Sequence, residues 1–354
     1  MSKWKTVRLG DVCEKGASNI TQNEIVDNFG EYPIYGAAGF IKNVDFYKQE
    51  EAYIGIVKDG AGVGRISIHP AKSSLIGTMQ YIFPNENIDI KFLASFLKYQ
   101  NLGRFYTGAT IPHIYFKDYK NIKLKLPPLE TQKQIAAVLD KCTSLISKYK
   151  KILEKYDTLI KSRFIEMFDK IINESTKIPL EDICDFVTVG IANSATHAFC
   201  DNGVIMFRNQ NIKEDFLDDS DIIHIKKDFA DKYKTKALKE NDLLIVRTGY
   251  PGICCLVPQK YEGCQTFTTL IARLKKNENI NPKFICHYIN SDYGREYVNK
   301  NQAGVAQQNF GATALSKMPM CIPSIELQNN FATFVQQIDK SKFEIEKIVK
   351  MGYN

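Results

Sequence analysis

The sequence predicts a mixed α/β (α+β) protein with two tandem globular domains, each followed by a long helix. Two observations lead to this fold class: an internal repeat that covers most of the chain, and a heptad pattern that starts at the same point of each repeat. Since both long helices carry the pattern, we expect them to pair as an antiparallel coiled coil. The predicted boundaries are 1–126 and 171–322 for the globular domains, and 127–170 and 323–354 for the helices.

Three pairs of similar segments occur in the same order in the two halves of the chain. Their offsets are 171, 189 and 196 residues, so the second half differs from the first by insertions between the matching segments. The pairs are VRLGDVC (7–13) with IPLEDIC (178–184), IVKDG (56–60) with IVRTG (245–249), and LPPLETQ (126–132) with IPSIELQ (322–328). This order indicates a tandem duplication whose middle parts have diverged.

The first long helix is predicted to begin at Pro127 and Pro128, because the first turn of a helix needs no backbone N–H donors. Glu130 follows in that turn, where the helix dipole favours an anion. Apolar residues then recur in alternating steps of four and three, the spacing of a coiled-coil seam. The expected pairing positions are Ile135, Leu139, Ile146, Leu153 and Ile160 in the first helix, and Phe331, Val335, Ile338 and Ile345 in the second, shorter one.

Composition and residue spacing argue against a metal-binding protein, a membrane protein and a secreted protein. The formal net charge of +7 permits nucleic-acid binding without requiring it. Nine cysteines are present, but no pair has C-x-x-C spacing and the five histidines are scattered, so we expect free thiols and no metal site. No apolar stretch is long enough for a membrane-spanning helix, and the first residues do not resemble a secretion signal, so a cytoplasmic location is expected.

Common catalytic motifs are absent from the sequence. It contains no P-loop, no G-x-S-x-G segment and no H-E-x-x-H segment. The glycine-rich segment GAGVG (60–64) leads into RISIHP, which alternates like a strand, whereas a phosphate-binding loop would lead into a helix. The sequence therefore favours a binding protein over an enzyme.

The repeated segments resemble those of specificity subunits of type I restriction–modification systems. The resemblance rests on LPPLETQKQIAAVLDKC (126–142), its echo IPSIELQNNFATFVQQID (322–339), and the segments WKTVRLGDVC (4–13), KIPLEDICD (177–185), YPIYGAAGFI (32–41) and GVIMFRNQNI (203–212). It implies that each globular domain is a target-recognition domain reading one part of a bipartite DNA sequence, and that the helices set the spacing.

The resemblance also implies the partners. These are double-stranded DNA, two methyltransferase (modification) subunits docked on the helices, and two restriction/translocase subunits. The resemblance places the S-adenosylmethionine, ATP and magnesium chemistry in those partners, so no cofactor is expected in this chain and no contact with a membrane. The short second helix departs from the pattern, and the sequence leaves open whether it is naturally short or clipped.

The candidate DNA contacts lie in loops that the repeat makes equivalent. Arg and Lys suit guanine or phosphate, whereas Asn and Gln suit adenine. Three groups of loop residues follow: Lys58 and Arg65 with Arg247, Thr248 and Tyr250; then Thr107, Thr110 and His113 with Gln307, Gln308 and Asn309; and finally Arg208, Asn209, Gln210 and Asn211. Each group has a structural alternative: a solvated hairpin, a polar turn, or amides that cap the local backbone.

Two other functions remain open from the sequence. A self-contained DNA-modifying enzyme of unfamiliar motif would need an acid–base group, and none occurs in both halves. A coiled-coil scaffold would explain the helices but not two globular domains with diverged middles. Binding of S-adenosylmethionine by the isolated chain, or magnesium-dependent DNA cleavage, would favour the enzyme.

Overall fold

The structure is a computed structural model that describes residues 4–108, 111–193, 195–304 and 308–351. The chain divides into two compact units, Met1–Lys148 and Tyr149–Asn354, which we call unit 1 and unit 2. This division differs from the predicted domain boundaries, because the long first helix contributes residues to both units.

Unit 1 combines strands and helices. Its strands are β1 (Lys5–Arg8), β2 (Cys13–Ala17), β3 (Tyr32–Gly36), β4 (Gly39–Val44), β5 (Tyr53–Val57), β6 (Ile66–His69), β7 (Ser74–Leu75), β8 (Met79–Pro84) and β9 (Lys123–Leu126). Its helices are α1 (Ile90–Tyr99), α2 (Phe116–Tyr119) and the first part of α3 (Leu129–Glu174).

An antiparallel sheet with the strand order β2-β8-β5-β6 forms the centre of unit 1. Strand β5 is a continuous apolar run whose five residues are all buried, as expected for a strand covered on both faces. Ile54 and Ile56 of this strand pack with Leu93 and Leu97 of α1 in one hydrophobic cluster. A second sheet has the order β4-β3-β7, and β1 pairs with β9.

Unit 2 has a longer list of elements. Its strands are β10 (Ile178–Pro179), β11 (Cys184–Val189), β12 (Phe199–Cys200), β13 (Val204–Arg208), β14 (Ile212–Lys213), β15 (Phe216–Leu217), β16 (Ile223–Ile225), β17 (Leu243–Ile245), β18 (Cys254–Leu256), β19 (Gln265–Phe267), β20 (Leu270–Leu274) and β21 (Pro319–Met320). Besides the rest of α3, its helices are α4 (Lys227–Asp231), α5 (Pro282–Asn290), α6 (Asp292–Asn301), α7 (Ala312–Ser316) and α8 (Ile325–Met351).

The sheet topology of unit 1 recurs in unit 2. The order β11-β20-β17-β18 corresponds to β2-β8-β5-β6, and β10-β21 corresponds to β1-β9. The order β16-β13-β19 corresponds to β4-β3-β7, and in both cases the last two strands are parallel. Unit 2 adds β12 and the β14–β15 hairpin. The predicted fold class, two tandem α/β domains with long helices, is confirmed.

The long helices pair within unit 2. The aromatic ring of Phe331 in α8 lies 5.4 Å from that of Phe164 and 5.6 Å from that of Phe168, both in α3. Further along, Lys342 Nζ lies 2.5 Å from Asp157 Oδ1. Residues later in α3 therefore contact residues earlier in α8. The two helices run antiparallel, as the sequence predicts.

The buried residues of the two long helices are concentrated in one part of their length, whereas an even heptad seam would bury residues at every turn. Ile160, Phe331 and Val335 are buried, whereas Leu139 is 43% exposed. The other predicted pairing residues are only partly buried: Ile135, Ile146, Leu153, Ile338 and Ile345. In unit 2 the reason is a third helix, because Phe284 of α5 stacks 5.9 Å from Phe164 and concentrates the core there.

This uneven burial predicts different effects for the same substitution at two positions of α3. Ile160→Val should lower the free energy of unfolding by about 1 kcal/mol, because it removes a buried methyl group from the core. Ile152→Val is the matched control and should change it by less than about 0.5 kcal/mol, since Ile152 is 37% exposed. Urea unfolding followed by circular dichroism measures both, and equal losses would contradict the described packing.

Candidate nucleic-acid interface

Four of the predicted loops form two equivalent pairs. Loop A1 (58–65) follows β5 and loop B1 (106–113) precedes α2 in unit 1. Loop A2 (247–252) follows β17 and loop B2 (304–311) leads into α7 in unit 2. In each unit the A loop bridges to the B loop, through Asp59 and His113 in one case and Thr248 and Asn309 in the other.

Backbone hydrogen bonds fix the two loops of unit 1. The N–H of Ile114 donates to the carbonyl of Lys58 at 3.0 Å. Thr107 and His113 exchange both backbone hydrogen bonds, at 2.8 and 2.9 Å, which closes loop B1. The side chains of Asp59 and His113 are hydrogen-bonded through Oδ1 and Nδ1, so His113 joins the loops instead of projecting freely.

The same contacts occur at the equivalent positions of unit 2. The N–H of Phe310 donates to the carbonyl of Arg247 at 2.9 Å, and Ala303 and Asn309 exchange two backbone hydrogen bonds at 2.9 Å each. The sequence offsets of 189 and 196 therefore paired the correct loops.

Asn209 connects a third predicted segment to loop A2. Its Oδ1 accepts a hydrogen bond from the backbone N–H of Arg247 at 3.1 Å. Its Nδ2 donates to Thr248 Oγ1 at 3.0 Å. Residues from all three sequence-predicted groups of unit 2 thus meet at one place.

The guanidinium of Arg247 is held on one side only. Its Nε donates to Asn309 Oδ1 at 3.1 Å, and the side chain is half-buried. Within the described residues, neither of its terminal Nη atoms has a protein hydrogen-bond partner. Two parallel N–H groups in this state can form a bidentate contact with guanine or with a phosphate.

The equivalent basic residues of unit 1 differ. Lys58 occupies the position of Arg247 and is half-buried. Arg65 is exposed, and its Nη1 donates to the carbonyl of Ala37 at 3.0 Å. Lys58 carries a point charge without the planar fork of an arginine, so the two units present different donor groups at the same place.

Asp221 accepts hydrogen bonds from two other residues of the third predicted segment (208–211). It accepts from Arg208 Nη2 at 3.0 Å and from Gln210 Nε2 at 2.5 Å. Asn211 is 2% exposed, accepts from the backbone N–H of Arg208 at 2.8 Å, and donates to the carbonyl of Asp218 at 3.0 Å. Asn211 therefore shapes its own loop, which corrects the predicted DNA contact at this residue, because a buried amide with satisfied hydrogen bonds is not available to a base.

Tyr250 is a strongly exposed residue of loop A2. Its side chain is 82% exposed, and the neighbouring Gly249 and Gly252 have φ of +89° and +88°. These left-handed conformations favour glycine, and a Cβ on Gly252 would lie 2.7 Å from Val298. The two glycines thus form a turn that presents an aromatic ring to solvent.

The remaining predicted residues lie on the B loops. Thr107 and Gln308 are exposed. Thr110 and Gln307 lie outside the described residues. Sequence reasoning missed Asp59 and Asp221, which hold predicted contacts in place. The repeat offered a signal for Asp59, because the offset of 189 aligns it with Thr248, a residue that was predicted.

Within the described ranges, no cluster of three or more His, Cys, Asp or Glu side chains could hold a metal ion. In the same part of the chain, no helix is long and apolar enough to cross a membrane.

The sequence matches a family model for the type I restriction modification DNA specificity domain at residues 1–155 and again at 173–350. The chain belongs to this family. The two matches correspond to the two repeats. They confirm three predictions made from the sequence: the family, a DNA-specificity function, and the role of a non-catalytic recognition subunit.

Individual relatives agree with the family. The chain is 25% identical over 399 aligned positions to the type I restriction enzyme MjaVIII specificity subunit of Methanocaldococcus jannaschii, covering 99% of this chain and 91% of that one. It is 22% identical over 273 positions to the EcoBI specificity subunit of Escherichia coli, covering 69% of this chain and 57% of that one. The S subunit of M. genitalium has a similar fold, with a TM-score of 0.62, 13% identity and coverage of 99% and 93%.

Proposed function

We propose that each unit reads one part of a bipartite DNA target. The observation that supports this is the pairing of equivalent loops that carry different side chains. Lys58, Asp59 and His113 in unit 1 correspond to Arg247, Thr248 and Asn309 in unit 2. Loops with equivalent backbones but different hydrogen-bonding side chains suit two different base sequences.

We also propose that this chain assembles with partner subunits. Two methyltransferase subunits dock on the long helices, which set the gap between the two parts of the target, and two restriction/translocase subunits complete the nuclease. S-adenosylmethionine, ATP and magnesium bind in those partners, and the complex acts in the cytoplasm. The exposed apolar residues of α3 support docking, since Val138 is 59% and Leu145 50% exposed.

Selection from a randomised DNA library tests the proposal. The complex of this chain with its methyltransferase partner should enrich two short motifs separated by a fixed gap. Its affinity should fall linearly with salt on a double-logarithmic plot, because phosphate contacts release counterions. Enrichment of one uninterrupted motif would contradict the assignment of one part to each unit.

A second experiment separates this function from the enzyme alternative. The isolated chain should neither bind S-adenosylmethionine nor cut DNA with magnesium. Saturable binding of S-adenosylmethionine without a partner would instead support a self-contained enzyme.

A further inference from the structure

Asp59 places a carboxylate in the part of unit 1 that the proposed function directs to DNA. It follows β5 and the basic residue Lys58 in loop A1, and its side chain is 27% exposed. Among the described residues, no lysine or arginine forms an ion pair with Asp59, whose charged or polar partner is His113. Phosphate repels a carboxylate, so this residue favours DNA binding only where it meets a hydrogen-bond donor.

The backbone around Asp59 is fixed by hydrogen bonds to two other segments of unit 1. The N–H of Asp59 donates to the carbonyl of Thr78 at 3.3 Å, and the N–H of Gly60 donates to the carbonyl of Pro112 at 3.0 Å. Gly60 has a φ of +86°, so the chain turns immediately after Asp59. A side chain on such a backbone is held in place before binding, which lowers the entropic cost of a contact.

The two carboxylate oxygens of Asp59 have different surroundings. Oδ1 is hydrogen-bonded to Nδ1 of His113. Because an ionised carboxylate only accepts hydrogen bonds, the imidazole donates through Nδ1 and orients the carboxylate. Within the described ranges, Oδ2 has no hydrogen-bond partner in the protein. Asp59 therefore has one anchored oxygen and one oxygen that is free to accept.

The equivalent position of unit 2 is arranged differently. Thr248 lies where unit 1 has Asp59, and its hydroxyl accepts from Asn209 Nδ2 at 3.0 Å. Asn209 directly follows β13, whereas the residue that directly follows the equivalent β3 is Ala37, whose side chain has no donor. The free oxygen of Asp59 is thus left for a donor from outside the protein.

Base edges in the major groove differ in whether they offer a donor to a carboxylate. Guanine presents two acceptors and thymine presents one, and a carboxylate is repelled by both. Adenine presents its amino group beside the acceptor N7, whereas the hydrogen-bonding group of cytosine is the amino group N4 alone. Cytosine is therefore the base that suits a single carboxylate oxygen best.

We propose that Asp59 is a specificity-determining residue of unit 1, and that its Oδ2 accepts a hydrogen bond from N4 of a cytosine in the DNA target. This inference rests on the proposed function, because it requires loop A1 to face DNA. The carboxylate selects partly by repelling the bases that present acceptors, so its removal should relax the choice of base more than it weakens binding.

Selection from a randomised DNA library with the assembled methyltransferase complex tests this inference. Wild type should enrich one C·G pair, in one part of the bipartite target, that Asp59→Ala no longer requires. Asp59→Asn should exchange cytosine for adenine at this position, because an asparagine amide can accept from N6 and donate to N7. Asp27→Asn, an exposed aspartate of unit 1 with the same change of charge, is the control and should select the wild-type target.

A modified base tests the hydrogen bond itself. Replacing the selected cytosine by 2-pyrimidinone, which lacks the 4-amino group, should weaken binding by the wild-type complex about tenfold. The loss for Asp59→Ala should be clearly smaller, because the amino group and the carboxylate are coupled as a pair. Fluorescence anisotropy of labelled duplexes at fixed salt measures both affinities.

Three results would overturn the inference. They are an unchanged selected target in Asp59→Ala and Asp59→Asn, a uniform loss of affinity with unchanged base preference, and equal losses with 2-pyrimidinone in wild type and Asp59→Ala. A uniform loss is what a merely structural Asp59 would give. All three leave the bipartite target in place, whereas absence of any bipartite target would contradict the proposed function and this inference with it.

Discussion

Arg247→Ala is expected to lower methylation of the target by the assembled complex by about 10- to 100-fold, the value of one bidentate base contact. Arg247 is suited to such a contact because its position is fixed while its terminal nitrogens are free within the described residues. Asn309 holds its Nε at 3.1 Å, and Asn209 holds its backbone N–H at 3.1 Å.

The effect should depend on the DNA sequence. If Arg247 reads a base, the variant should tolerate substitution of one position in a single part of the target, and the other part should be read as before. Arg8→Ala, which removes an exposed arginine of β1, is the control and should leave methylation unchanged. Equal methylation by Arg247→Ala and wild type would contradict a DNA contact, and a uniform loss on all sequences would assign a phosphate contact.

Gln328→Leu is expected to lower the free energy of unfolding by about 2 kcal/mol or more, because one buried and two partly buried backbone groups lose their partners. Gln328 is fully buried, and its Nε2 donates to the carbonyls of Pro323 and Asn279 at 2.7 and 3.1 Å. Its Oε1 accepts from the N–H of Asn281 at 2.9 Å. This side chain ties the start of α8 to the start of α5.

Gln132 makes the same three contacts in unit 1. Its Nε2 donates to the carbonyls of Pro127 and Asn87, both at 2.9 Å, and its Oε1 accepts from the N–H of Asp89 at 2.8 Å. Gln132→Leu should therefore destabilise by a similar amount.

Exposed glutamines of the same helices are the matched controls. Gln134→Leu in α3 and Gln336→Leu in α8 should change the free energy of unfolding by less than about 0.5 kcal/mol. Urea unfolding followed by circular dichroism measures all four variants. Similar losses in the exposed and buried pairs would contradict the tie between helices.

These glutamines show what the repeat could and could not reveal. The matching segments LPPLETQ and IPSIELQ contain them at the same position. Similarity alone does not say why a polar residue recurs, since the partners at Asn87 and Asn279 lie 45 and 49 residues away in the chain. Tertiary contacts of this range cannot be inferred from local patterns.

In the loops, the repeat revealed which segments are equivalent but not the role of each side chain. The offsets in the sequence correctly matched loop A1 with A2 and loop B1 with B2, because a duplicated chain keeps its topology while side chains change. They could not separate Asn211, which is buried and serves its own loop, from Asn209 in the same segment. That distinction depends on Asp218 and Asp221, whose carbonyls accept from Asn211 Nδ2 at 3.0 and 2.8 Å.

Mapping of methylated bases across the genome of the source strain, with and without this gene, tests the central claim most directly. The account predicts that a split motif with a fixed central gap loses its methylation when the gene is deleted and regains it when the gene is restored. It also predicts that Arg247→Ala relaxes one part of that motif only. Unchanged methylation after deletion, in a strain that expresses the partner methyltransferase, would contradict the account.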